Sequence, residues 1–85
     1  MTALAWWWLS FADEEKFLGV VVLQAPDGLT AVKVAHLLGV NPGGEVAVMQ
    51  LEPKPEQGTL LCLHQNRLLN RSEAEALDAA ARELA

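Results

Sequence analysis

"AWWWLSFA", residues 5–12, places three tryptophans, a leucine and a phenylalanine in one run of eight residues. An aromatic-rich run that stops at a cluster of turn-forming residues reads as a strand. Asp13-Glu14-Glu15 supplies that stop, so residues 4–11 are the first expected strand. "FLGVVVLQA", residues 17–25, is a second, dense in valine. The gap of about five residues between them suits a hairpin, which makes the pair antiparallel.

Beyond the hairpin the apolar period changes. In "APDGLTAVKVAHLLGVNPGG" Asp27 is positioned as an N-cap, its carboxylate accepting backbone N–H bonds. Ala31, Val34, Ala35 and Leu38 follow at helical spacing, widened by Leu29 and Val32. Gly39 suits the left-handed residue that ends a helix, and Asn41-Pro42-Gly43-Gly44 a sharp turn. "EVAVMQLE", residues 45–52, is a third strand. "PKPEQG", residues 53–58, reads as a loop because its prolines remove ladder donors. "TLLCLH", residues 59–64, is expected as a short fourth strand, and "NRLLNR" fits no single element. Ser72 and Glu75 form an S-x-x-E capping pattern for a last helix running to about residue 84, with Ala74, Leu77, Ala81 and Leu84 on one face.

The order β-β-α-β-(β)-α implies one small α+β domain over residues 1–85. Its sheet is expected to be mixed and three- or four-stranded, with two helices on one face. The first strand is the most continuously apolar, so it is expected at the centre, between the second and third and antiparallel to both. Alternation puts Trp7, Leu9 and Phe11 on one face and Trp6 and Trp8 on the other. Two helices on one face leave the other with at least one tryptophan and a row of valine or leucine. Each aromatic carries roughly 150–250 Å² of buriable surface, and a patch of several hundred Å² marks an interaction site. The alternative is that the fourth strand and "NRLLNR" fold over that face and the tryptophans are core.

Composition narrows the function classes. The formal charge is −5, from eleven acidic and six basic residues, with Lys16, Lys33, Lys54, Arg67, Arg71 and Arg82 scattered along the chain. No basic face is available for phosphates, so neither nucleic acid nor an anionic membrane is an expected partner. No Lys or Arg precedes the N-terminal apolar run, which argues against an export signal. No apolar run approaches the ~20 residues of a membrane span. Cys62 is the only cysteine, which excludes an internal disulfide and fits a reducing compartment; the cytoplasm is the expected location.

Candidate chemistry is sparse. Cys62 and His64, two apart, would share a side of a strand, with His36 as a third ligand or base. The paired spacing of structural zinc sites is missing, and Cys62 between leucines reads as a small core residue. No metal, cofactor or catalytic residue is therefore assigned. Gly43 and Gly44 offer an anion-binding nest, and Arg67 and Arg71 could join Asn41 around a small ligand. Turn chemistry, and pairing of the arginines with Glu73 or Glu75, explain the same residues. Asp13-Glu14-Glu15 reads as a solvated hairpin loop.

"WWWLSFAD" at 6–13, "LGVNPGGEV" at 38–46 and "NRLLNRSEAEAL" at 66–77 together resemble a family of short hypothetical proteins of bacteria and their phages. Those carry a W-W/Y-x-L-S-F-A-D start, an L-G-I/V-N-P-G-G-E-V centre and an N-R-L-L-x-R-x-E end. The resemblance implies no activity and no catalytic or binding residue. It does imply that the Asn41–Gly44 turn and Asn66–Leu69 belong to one design.

The expectation that follows is a non-enzymatic interaction module. It associates with itself, as a dimer, or with another protein through Trp6, Trp7 and Trp8. The competing expectation is a small-ligand or catalytic site near Asn41–Glu45 and Arg67.

Overall fold

The hairpin carrying the tryptophans is the middle of the fold. The computed structural model, which describes residues 3–85, has β1 (Ala5–Ala12), β2 (Phe17–Ala25), α1 (Gly28–Leu37), β3 (Glu45–Leu51), α2 (Pro55–His64), β4 (Leu68–Leu69) and α3 (Arg71–Glu83). The four strands form one sheet in the order β3-β1-β2-β4. This is an α+β architecture, with β1 between β2 and β3 and antiparallel to both. The β2–β4 pair is antiparallel as well, so every hydrogen-bonded pair is antiparallel and the sheet is not mixed.

Asp13 turns the hairpin: its carboxylate accepts the backbone N–H groups of Glu15 and Lys16, each at 2.8 Å. Leu18 is an extra residue on β2, opposite a register break between Phe11 and Ala12. Gly19, which follows this bulge, has φ +149°, and a Cβ there would stand 2.5 Å from Leu68 Cδ1. Asp27 caps α1 as expected, accepting from the Thr30 N–H at 2.8 Å, and Gly39 ends the helix at φ +74°.

The described residues form three helices, not two, and they cover both faces. The additional helix, α2, occupies residues read as a loop and a fourth strand. Pro55 sits in its first turn, where a missing N–H removes no helical bond. Gln57 folds back so that its Oε1 accepts the Lys54 N–H at 2.8 Å, and its Nε2 donates to the Ala81 carbonyl of α3. A six-residue apolar run has no period of its own that separates strand from helix, and tertiary packing decided for helix. The true fourth strand is β4, inside "NRLLNR". α3 begins two residues earlier than the Ser72–Glu75 pattern implied. Asn70 Oδ1 accepts the Glu73 N–H at 2.8 Å and Glu73 Oε1 accepts the Asn70 N–H at 3.2 Å, the same reciprocal cap in a different frame.

Two apolar layers result. Leu9, Phe11, Val21, Leu23 and Ala25 pack under Ala31 and Ala35 of α1, with Trp7 at the margin. Trp6, Val20, Val22 and Leu69 pack under Leu61 of α2 and Ala74 and Leu77 of α3, with Trp8 at the margin. Both helix layers press on β2, which is why Val20 to Leu23 are buried throughout and β2, more than β1, is the deepest strand. The two alanines of α1 let the helix sit close to the sheet. Its contact stripe is correspondingly narrow, and Leu29 and Leu38 stand exposed.

Candidate interaction surface

The three tryptophans part company in three dimensions. Trp6 is core, 9% exposed, on the α2–α3 face. Trp7 is half-buried on the α1 face, where its indole N–H donates to the Ala25 carbonyl at 2.9 Å. Trp8, also half-buried, looks to the α2–α3 face, but α3 lies over β2 and β4 and α2 leans on α3. An open groove of about 480 Å³ therefore runs between the helices and the β1–β3 side of the sheet, lined by Trp8, Met49, Leu51, Gln57 and Leu77. A second hollow of about 230 Å³ continues past Trp8 to Ser10, Phe17 and Arg71. Helices on both faces overturn the bare sheet face expected from two helices. What stays open is narrower: Trp8, and the strand beside it.

That strand is β3, one edge of the sheet. Its residues Ala47 to Gln50 are exposed, including Val48 at 42% and Met49 at 54%. Its only charged residue is Glu45, at one end, and it has no proline. Natural edges are usually blunted by lysine, proline, a bulge or shortness. The other edge shows such a device: β4 is two residues long. β3 has seven residues and a regular register against β1.

The direction of the unpaired backbone groups follows from one bond. The Asn66 N–H donates to the Val22 carbonyl at 2.9 Å, so Val22 turns its backbone groups towards β4. Backbone groups alternate in direction along a strand, so Val21, Leu23 and Ala25 turn theirs towards β1. Their partners Leu9, Trp7 and Ala5 therefore bond β2, and Trp6, Trp8 and Ser10 bond Leu51, Met49 and Ala47 of β3. The N–H and C=O groups of Val46, Val48 and Gln50 point out of the sheet edge.

The polar candidates do not converge. Asn41, Gly43 and Gly44 lead into β3: Asn41 Oδ1 accepts the Gly43 N–H at 2.8 Å, and Gly44 lies against the Ala12 carbonyl and Leu18. Arg67 precedes β4 at the opposite edge. There its Nη1 bonds Glu73 Oε2 at 2.8 Å and its Nη2 donates to His64 Nδ1 at 2.9 Å. Arg71 stands 5.2 Å over the Phe17 ring on the α3 face, whereas Leu18, beside Gly44, packs on the α1 face. The arginines are engaged in holding β4 and α3 in place. The Asn41–Gly44 turn and Asn66–Leu69, which the resemblance joined in one design, stand at opposite edges of the sheet.

Cys62 is exposed, not core, and lies on a helix, where a residue two further on points about 200° away. His64 is thus turned from it, and His36 is on α1 across the sheet. Among the described residues no group of three or more His, Cys, Asp or Glu side chains is placed to hold a metal ion. Asp13, Asp27 and Glu73 are held below the ordinary carboxyl range. Asp13 and Asp27 are held there mainly by backbone N–H donors, from Glu15 and Thr30 respectively, and Glu73 first by its bond from Arg67. The Asp13 and Asp27 shifts thus come from a turn and a helix cap, and the Glu73 shift from an ion pair with a cap bond second. No helix among the described residues is long and apolar enough to cross a membrane.

Along the edge of β3, with Met49 and the Trp8 groove behind it, exposed apolar side chains and outward-pointing backbone groups coincide over several consecutive residues. No family model matches the chain, and neither a curated protein nor a solved structure matches it.

Proposed function

We propose that this chain is a non-enzymatic protein-interaction module, and that the β3 edge and the Trp8 groove form its contact surface. One observation carries the reading: a regular seven-residue edge strand without lysine, proline or bulge, whose central Ala47, Val48 and Met49 are exposed and apolar. Such an edge accepts another strand, with main-chain bonds supplying affinity and side-chain pockets specificity. Self-association is its simplest form. Of the three tryptophans first considered, Trp8 belongs to this surface, while Trp6 and Trp7 support it from within.

Sedimentation velocity of the whole chain over a wide concentration range, with tryptophan emission recorded on the same samples, tests this. The expected result is an assembly heavier than the 9.2 kDa chain that Met49→Lys weakens without altering the folded emission spectrum. A 9.2 kDa species at every concentration would remove self-association.

A further inference from the structure

We infer that the partner is a second copy of this chain, joined antiparallel along β3 about a two-fold axis through Val48, so that two four-stranded sheets become one of eight. The inference rests on the interaction reading above and specifies its geometry. Three residues, Val46, Val48 and Gln50, turn their backbone groups outward, and they are evenly spaced about Val48. A two-fold centred there sets Val48 against Val48 of the second copy and Val46 against its Gln50, and each such pair exchanges two bonds. All three outward N–H groups and all three outward carbonyls of each copy are then satisfied. A two-fold centred on Val46 or Gln50 leaves outward residues of β3 without a partner on the other strand.

Side chains agree with this register. On the α1 face, Val48 meets Val48, flanked by Val46 against Gln50. On the other face, Ala47 meets Met49 in both directions, a small residue opposite a long one, and each Met49 continues into the Trp8 behind it, its register partner on β1. Glu45 falls opposite Leu51 and Glu52 opposite Gly44, so no carboxylate faces another despite a net charge of −5 per chain. Like charges directly opposed would disfavour the pairing. The closed two-fold also uses up the exposed edge of both copies, which stops further strand addition there.

The test is site-directed cross-linking in a Cys62→Ser background, because Cys62 is exposed and would otherwise react. In the proposed register the Cα atoms at position 48 are about 5.5 Å apart, within disulfide reach. Those at position 50 are four residues out of step, roughly 14 Å apart. Oxidised Val48→Cys is expected to run as a covalent dimer on a denaturing gel and Gln50→Cys as a single chain. Val48→Pro, whose missing N–H faces away from β1 and so spares the sheet, is expected to weaken association by at least about a hundredfold. If the unmodified chain associates but Val48→Cys does not cross-link, or Gln50→Cys cross-links equally well, the β3 register is overturned while self-association stands. If the unmodified chain is monomeric throughout, both fall.

Discussion

Residues 59–64 offer the sharpest test of how this chain folds, because a strand and a helix assign opposite fates to two leucines. In a strand Leu61 and Leu63 would share a face. In α2 they are turned about 200° apart, with Leu61 3% and Leu63 73% exposed. Leu61 packs with Trp6, Val22 and Leu77, so Leu61→Ala removes apolar atoms from between a helix and the sheet and leaves a cavity. Such truncations cost about 2–5 kcal/mol. A domain of this size holds roughly 3–5 kcal/mol in all, so the loss would consume most of its stability. At 4–8 °C per kcal/mol, a mid-range loss of about 3 kcal/mol lowers Tm by roughly 12–24 °C. Leu63→Ala changes little that is packed and should stay within about 0.5 kcal/mol of the parent. Urea unfolding of the three proteins, followed by tryptophan emission, measures both numbers. Equal losses for the two variants, or a larger loss at Leu63, would refute the helix and the layer built on it.

Glycine substitutions are expected to differ in sign. Gly44→Ala forces a side chain onto φ +73° and sets its Cβ 2.5 Å from the Ala12 carbonyl, so it should destabilise by more than about 1–2 kcal/mol. Gly58 lies within α2 with nothing within 4 Å of an added Cβ, so Gly58→Ala should stabilise by about 0.5–1 kcal/mol; urea midpoints check both. Trp7→Phe loses the bond to the Ala25 carbonyl together with part of the ring packed beside α1, and a loss of at least about 0.5–1.5 kcal/mol is expected in the same assay. Asp13, Asp27 and Glu73 titrate lower folded than unfolded, so the unfolded chain takes up protons first as pH falls. The stability they contribute is intact above the unfolded values, about 4, and drains away as the pH passes below them. Urea midpoints should be level from pH 8 to about 5 and fall below about 4, less steeply in Glu73→Gln; a decline beginning at pH 6 would contradict this assignment.

Local signals settled much of this protein by themselves. The aromatic run, the acidic turn and the valine run make a hairpin whatever surrounds them, because side-chain alternation and turn chemistry act over a few residues. Asp27 with Gly39 delimits α1 for the same reason, and the placing of β1 between β2 and β3 was legible from its unbroken apolarity. The separation of Trp7, Leu9 and Phe11 from Trp6 and Trp8 needed only the period of two. None of this fixed what stands on the second face of the sheet. "TLLCLH" became a helix because Leu61 found Trp6, Val22 and Leu77 to pack against and Gln57 found the Ala81 carbonyl, partners distant in sequence. The choice of Asn70 over Ser72 as the cap of α3 followed from β4 pairing with Val20 and Val21, which ends the strand at Leu69. The proposed contact surface moved with these decisions, from a broad tryptophan face to the β3 edge and the groove behind Trp8. An edge is defined by which strand finds no neighbour, and only the assembled sheet determines that.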